Sequence, residues 1–342
     1  MPNKSTYKLA FTVLIILLLF CFFANISLGS VSISNSELLN ILLGTSKNNS
    51  LHQIVFNYRL PKAFTAIIVG SGLGVSGLMM QTLFRNPLAG PFVLGITSGA
   101  SLGVALIIMG SAAFGGILVG SLVTKWGIVI AASLGSFLVL LSVLVVSSRV
   151  RDTMAILIIG LMFGSITTAI VSVLSFFSSA EELQQYIFWG FGSLGNLSWE
   201  EVFILFIIYF FGILLSLSSI KALNTLLLGE NYARSLGLHI KRSRLVIIVA
   251  TSLLAGTITA FTGPIAFIGL AIPHMTRQIF NTSNHKLLLP AVFIFGAIIM
   301  LICDSIAQLP TSDYTLPINV ITSLIGAPVV IWLLVRKRKM VF

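Results

Sequence analysis

Acidic side chains are scarce in this chain: Asp and Glu number 9 in 342 residues, against 20 Lys and Arg. A channel for a bare metal ion needs rings of such acids, and a proton relay needs titratable groups inside the apolar runs; the chain has too few for either. HExxH, paired carboxylates and a Ser/His pair in neighbouring runs are also missing, which argues against an intramembrane enzyme. The two cysteines, Cys21 and Cys303, lie far apart in apolar runs, and with no CxxC and no His cluster they make no metal site. Nor is there a GxxxxGK[ST], so the chain has no P-loop with which to bind and split a nucleotide. Any energy from ATP must arrive through a partner, and no cofactor is expected on this chain.

What is abundant is apolar surface. Hydrophobic residues make up 57% of the chain and charged residues 8%, with a mean hydropathy of +1.06, the composition of a polytopic membrane protein. The net charge of +11 does not point to nucleic acid, because the basic residues gather at the ends of apolar runs, the footprint of membrane topology. A bilayer core of about 30 Å needs about 20 helical residues. Ten runs approach that length: 9–28, 62–83, 92–110, 127–146, 154–177, 202–219, 245–261, 265–280, 287–307 and 318–335. With the N-terminus placed in the cytoplasm, only Lys47, Arg59, Lys62 and Lys125 of the 20 cations fall outside, as the positive-inside rule requires. Both termini are then cytoplasmic.

Runs seven and eight are split only by Thr262, Gly263 and Pro264. Arg244 and Arg277 both belong inside, so two short spans are expected rather than one broken helix. Because Lys4 and Lys8 precede it, the first run also reads as a cleaved signal peptide, although its length favours a retained span. Gly72, Gly74 and Gly77 spell GxGxxG, but no strand precedes them, so dinucleotide binding is not expected. Gly70, Ser71, Gly74, Ser76 and Gly77 instead offer a small face for close helix packing in lipid.

Between runs six and seven lies a polar island, 221–244, reading KALNTLLLGENYARSLGLHIKRSR. It carries Lys221, Arg234, His239, Lys241, Arg242 and Arg244 against one acid, Glu230. The helical rhythm of Leu226, Leu227, Glu230, Ala233 and Arg234, broken at Gly237, predicts a short helix pair that docks a soluble partner. Glu230 and Arg234 would face each other one turn apart. A solvated loop that only enforces topology would need neither the leucines nor Gly229 and Gly237.

Four segments together resemble a known family: RLPKAFTAIIVGSGLGVSGLMMQTLFRNPLAGPFVLGITSGASLG at 59–103, LLLGENYARSLGL at 226–238, GPIAFIGLAIPHMTR at 263–277 and LPINVITSLIGAPVVIWLL at 316–334. In this order they look like the permease subunit of iron-chelate (siderophore or haem) and cobalamin ABC importers. The resemblance implies an all-α fold of about ten transmembrane helices, type II ABC importer permease-like, in one transmembrane domain over 1–342. It also implies a second copy of the chain, two cytoplasmic ATP-binding subunits, an external substrate-binding protein and a bacterial plasma membrane. The chain itself would be a transport subunit rather than an enzyme, with ATP used by the partner.

Residue roles carry over by position. The island resembles the family's coupling segment, with Leu226, Leu227, Gly229, Glu230, Ala233, Arg234 and Gly237 as its contact residues. Arg59 and Lys62 match a basic pair that docks acidic residues of the binding protein, where opposite charges speed encounter and fix orientation. A third docking cation is replaced by Gln308 in DSIAQ, which implies weaker electrostatic docking. The alternative for Arg59 and Lys62 is simple anchoring of a helix end at the headgroups. Asn86, Pro87 and Leu88 resemble one part of a cytoplasmic gate and Thr153 with Met154 the other, although Met154 departs from the small polar residue expected there. Asn86-Pro87 also reads as an ordinary turn.

Asp304, the one acid in the ninth run, is a candidate for the pathway or for an interface. His274 reads as a packing or hydrogen-bonding residue. A pathway of Phe, Met, Ser and Thr suits bulky chelates. An ion-coupled secondary transporter using Asp304 is the competing class, and cobalamin the competing cargo.

Overall fold

The computed structural model describes residues 4–46, 48–110, 123–147, 153–309 and 314–335. Lys47, Arg149, Arg151 and the cations at 336–339 lie outside them. Among the described residues the chain is helical and has no β-strand. The first helices are α1 (Lys4–Ser27), α2 (Asn35–Leu42), α3 (Asn49–Ile54), α4 (Leu60–Leu83), α5 (Ile96–Ile108), α6 (Lys125–Ser147) and α7 (Thr153–Phe177). They are followed by α8 (Ala180–Gly190), α9 (Trp199–Ser218), α10 (Ile220–Leu226), α11 (Glu230–Ser235), α12 (Ile240–Thr262), α13 (Ile268–Phe280), α14 (His285–Ala307) and α15 (Ile318–Val335).

Every one of the ten apolar runs becomes a helix, because backbone groups without water must pair within their own segment. Among the described residues seven helical stretches are long and apolar enough to cross a membrane, which makes this a multi-pass membrane protein. The others are shorter. At 13 residues each, α5 and α13 extend about 20 Å, less than a bilayer core.

Run seven departs from expectation. It has 23 residues, since α12 starts at Ile240 and takes Lys241, Arg242 and Arg244 into its first turns. Lys and Arg are good helix formers, and nothing between Ile240 and Leu245 breaks the helix. Gly263, at φ 74°, ends it.

Sequence reading passed over α2, α3 and α8, which fill connections between spans. Two of them carry a start signal that could have found them. Ser34 accepts from the Glu37 amide ahead of α2, and Ser179 and Glu182 form a reciprocal capping box ahead of α8, both in the pattern Ser-x-x-Glu.

Two compact units interleave along the chain. The first comprises Met1–Val75, Ser193–Ile207 and Ile265–Val341. In it α14 is the central helix, packed by α1, α13 and α15. Tyr7 stacks on Phe280 and Phe11 tilts against the same ring, with centroids 6.2 and 5.1 Å away. Gly70 and Gly296 let α4 and α14 touch backbone to backbone: a Cβ on Gly70 would stand 2.2 Å from the Gly296 carbonyl oxygen. Helices gain no hydrophobic drive from one another in lipid, so such close contact supplies the attraction. The expected small face is therefore real at Gly70, and Gly74 continues it against Val292.

The second unit comprises Ser76–Gly192 and Ile208–Pro264. Here α5 is wrapped by α6, α7, α8 and α12. Its core joins Ala100, Val104, Ile108 and Met109 to Val129, Ala132 and Ala260, with Tyr186 and Trp189 of α8 packed against it.

Candidate functional site

The polar island folds as a helical hairpin within the second unit. Helix α10 ends at Leu226, the chain turns through Gly229 at φ 99°, and α11 follows from Glu230. A side chain is strained at that φ, which glycine reaches freely. Leu226 and Ala233 are buried, Leu227 is half-buried and Arg234 is exposed. Gly237, at φ 84°, reverses the chain again. That reversal gives Glu230 a different partner from the one expected: its Oε1 accepts from Arg244 Nη2 of α12 at 2.9 Å. Helical spacing favours Arg234, but the second turn brings Arg244 back to Glu230 and leaves Arg234 facing outward.

The turn after α4 holds the first predicted gate residues. Arg85 sits at φ 47°, and Asn86 Oδ1 accepts from the Leu88 amide at 2.9 Å. Leu88 is exposed, while Asn86 and Pro87 are half-buried. Of Thr153, only its place as first residue of α7 is described. Met154 is exposed and lines a cleft of about 690 Å³ with Phe84, Arg85, Gly229, Glu230 and Tyr232. One half of the predicted gate and the predicted coupling hairpin therefore share a cleft.

A second groove, about 590 Å³, runs along α7 beside α5. Phe92, Thr97, Ser98, Ser165, Thr168 and Ser172 line it, with no charged side chain. The hydroxyls of Ser165, Thr168 and Ser172 bond to carbonyl oxygens one turn back at 2.9 to 3.1 Å. Their protons are engaged within the helix, so the surface is only weakly polar. Elsewhere on α7, Met154, Ile158, Met162, Ile166 and Ile170 recur every fourth residue and are uncovered.

In the first unit Lys62 and Gln308, expected at a docking rim, meet Asp304 and Asn25, a residue the sequence did not mark. Lys62 Nζ lies 3.1 Å from Asp304 Oδ1. Asn25 Nδ2 and Gln308 Nε2 each donate to Asp304 Oδ2 at 2.8 Å. Asp304 is buried and saturated with donors, so it neither snorkels to the surface nor lies bare in a pathway. Asn25 also donates to Ser305 Oγ and to the Leu301 carbonyl oxygen, tying α1 to α14.

Arg59 is not a free rim cation. It closes a π-helical stretch, Val55–Arg59, and its buried guanidinium donates to the carbonyl oxygens of Ile26, Ser27 and Val31. Ile26 and Ser27 belong to the last turn of α1, whose carbonyls lack intrahelical partners and carry the negative end of the dipole. Nothing in the local pattern RLPK signals Asn25 or the α1 carbonyls as partners, which lie in another run.

Residues 17–336 match the FecCD transport family. The hemin transport permease HmuU of Yersinia pestis is 33% identical over 340 residues, covering 99% of each chain. The vitamin B12 import permease BtuC of Klebsiella pneumoniae is 37% identical over 285 residues, 83% of each. A solved inward-facing structure of a transporter ascribed to the metal-chelate type of ABC transporters superposes with a TM-score of 0.81 at 31% identity, over 97% of this chain and 100% of that one.

Proposed function

The chain belongs to the FecCD transport family, and from that premise we propose that it is the transmembrane permease subunit of an ATP-driven importer of iron chelates, siderophore or haem. The observation that carries this reading is the end-to-end correspondence with a hemin permease. Cargo would arrive from an external binding protein and leave into the cytoplasm, and two ATP-binding subunits would supply the energy. The charge-free, weakly polar groove along α7 suits a bulky chelate that must pass without sticking. The uncovered apolar face of α7 suits a second copy of the chain. The hairpin at 221–244 would receive the ATP-binding subunit, with Glu230 held by Arg244. A bacterial plasma membrane with both termini inside completes the arrangement.

Cobalamin is the second reading, favoured by the 37% identity to a vitamin B12 permease. The test reconstitutes the chain with its ATP-binding subunit and measures ATP hydrolysis against binding protein loaded with ferric siderophores, haem or cobalamin. Stimulation by an iron chelate supports the proposal, stimulation by cobalamin alone moves the cargo to the second reading, and no response to any cargo refutes both.

A further inference from the structure

Arg85 stands where two assigned roles meet. It lies two residues past the end of α4 and immediately precedes Asn86, the first residue of the predicted gate turn. Its exposed side chain, however, reaches the hairpin. Nη2 lies 3.5 Å from the Leu227 carbonyl oxygen, at the C-terminal end of α10, where carbonyls lack helical partners and a cation is favoured. Its Nη1 would stand 3.4 Å from a Cβ on Gly229, so the guanidinium packs over the hairpin's turn. The same cleft brings in Met154 and Glu230. Arg85 also holds a backbone φ of 47°, which a residue with a Cβ adopts only when its surroundings impose it.

We propose that Arg85 is the positioning residue that carries movement of the hairpin into the gate turn. The guanidinium is a planar fork of donors, and one peptide bond separates Arg85 from Asn86. A displacement of the Leu227 carbonyl and the Gly229 turn therefore moves the start of the Asn86–Leu88 turn directly. A lysine keeps the charge but not the fork. This inference rests on the reading of 221–244 as the coupling segment and of Asn86 to Leu88 as gate.

The experiment uses the complete importer, with its ATP-binding subunit and binding protein, in proteoliposomes. Haem, a ferric hydroxamate and cyanocobalamin are tried as cargo, and the one that stimulates the parent is kept. Cargo moved per ATP hydrolysed is compared for the parent, Arg85→Ala and Arg85→Lys. Arg85→Ala is expected to leave basal hydrolysis within about twofold of the parent and to lower the ratio about tenfold. Arg85→Lys should recover only part of that loss.

A parent ratio in Arg85→Ala, or in Arg85→Lys if the alanine variant fails to assemble, overturns the proposal while the coupling reading stands. Full rescue by lysine also overturns it, since a solvated charge would then suffice. If the parent complex shows no cargo-stimulated hydrolysis, the coupling reading itself fails, and the proposal with it.

Discussion

Asp304 is held by three donors inside the first unit, and what happens when it is removed follows from that enclosure. Asp304→Ala leaves Lys62 largely enclosed without its counter-charge, and breaking such a pair costs more than replacing it whole. Because Lys62 keeps 21% of its side-chain surface, the expected loss is about 2–3 kcal/mol, below the range for a fully buried pair. Thermal unfolding in detergent checks it, and Lys62→Met combined with Asp304→Ala should recover much of the loss. Arg59→Gln is predicted to lower stability through the loosened end of α1, without changing the salt dependence of binding-protein docking. Docking weakened mainly at low ionic strength would instead return Arg59 to the rim. The sequence marked Asp304 because an acid in an apolar run is rare, and Lys62 and Gln308 through the family resemblance. Gln308 lies one helical turn after Asp304, but the meeting with Lys62 and Asn25 stayed hidden, because it depends on α1, α4 and α14 converging, which no local spacing encodes.

At the scale of elements, the hairpin and the helix contacts each admit a direct test. Glu230→Arg would set two guanidinium groups together at α11 and α12. Uptake should fall at least about tenfold while the protein stays in the membrane, and the exchange Glu230→Arg with Arg244→Glu should restore a large part. No effect of the single change would remove Glu230 from coupling. Gly70→Val should destabilise by about 1–3 kcal/mol through overpacking, since its Cβ would meet backbone rather than a movable side chain.

The ten runs were legible because lipid demands length and apolarity from each spanning helix on its own account. The hairpin was legible as a polar island with a break at Gly237, but the expected rhythm from Leu226 to Arg234 runs through Gly229, where the structure also breaks the helix. The partner of Glu230 was not legible, because one-turn spacing ranks Arg234 above a cation that only the Gly237 reversal brings near. Helices α2 and α8 were written in their Ser-x-x-Glu caps but overshadowed by the apolar runs around them.

At the scale of the molecule, the 20 cations and the seven long apolar helices among the described residues make orientation testable. Cys21 and Cys303 are buried, so a cysteine introduced at exposed Ser235 is expected to be labelled by an impermeant reagent only from the cytoplasmic face. One introduced at exposed Glu181 should react only from outside. The reverse pattern would invert the topology and, with it, the side on which an ATP-binding subunit could sit.

The most direct test of the central claim is accumulation of radio-iron chelate by proteoliposomes that hold the permease, its ATP-binding subunit and the loaded binding protein. The account predicts uptake that requires MgATP on the hairpin side and survives collapse of the proton and sodium gradients. Uptake that proceeds without ATP and stops when those gradients are dissipated would contradict it.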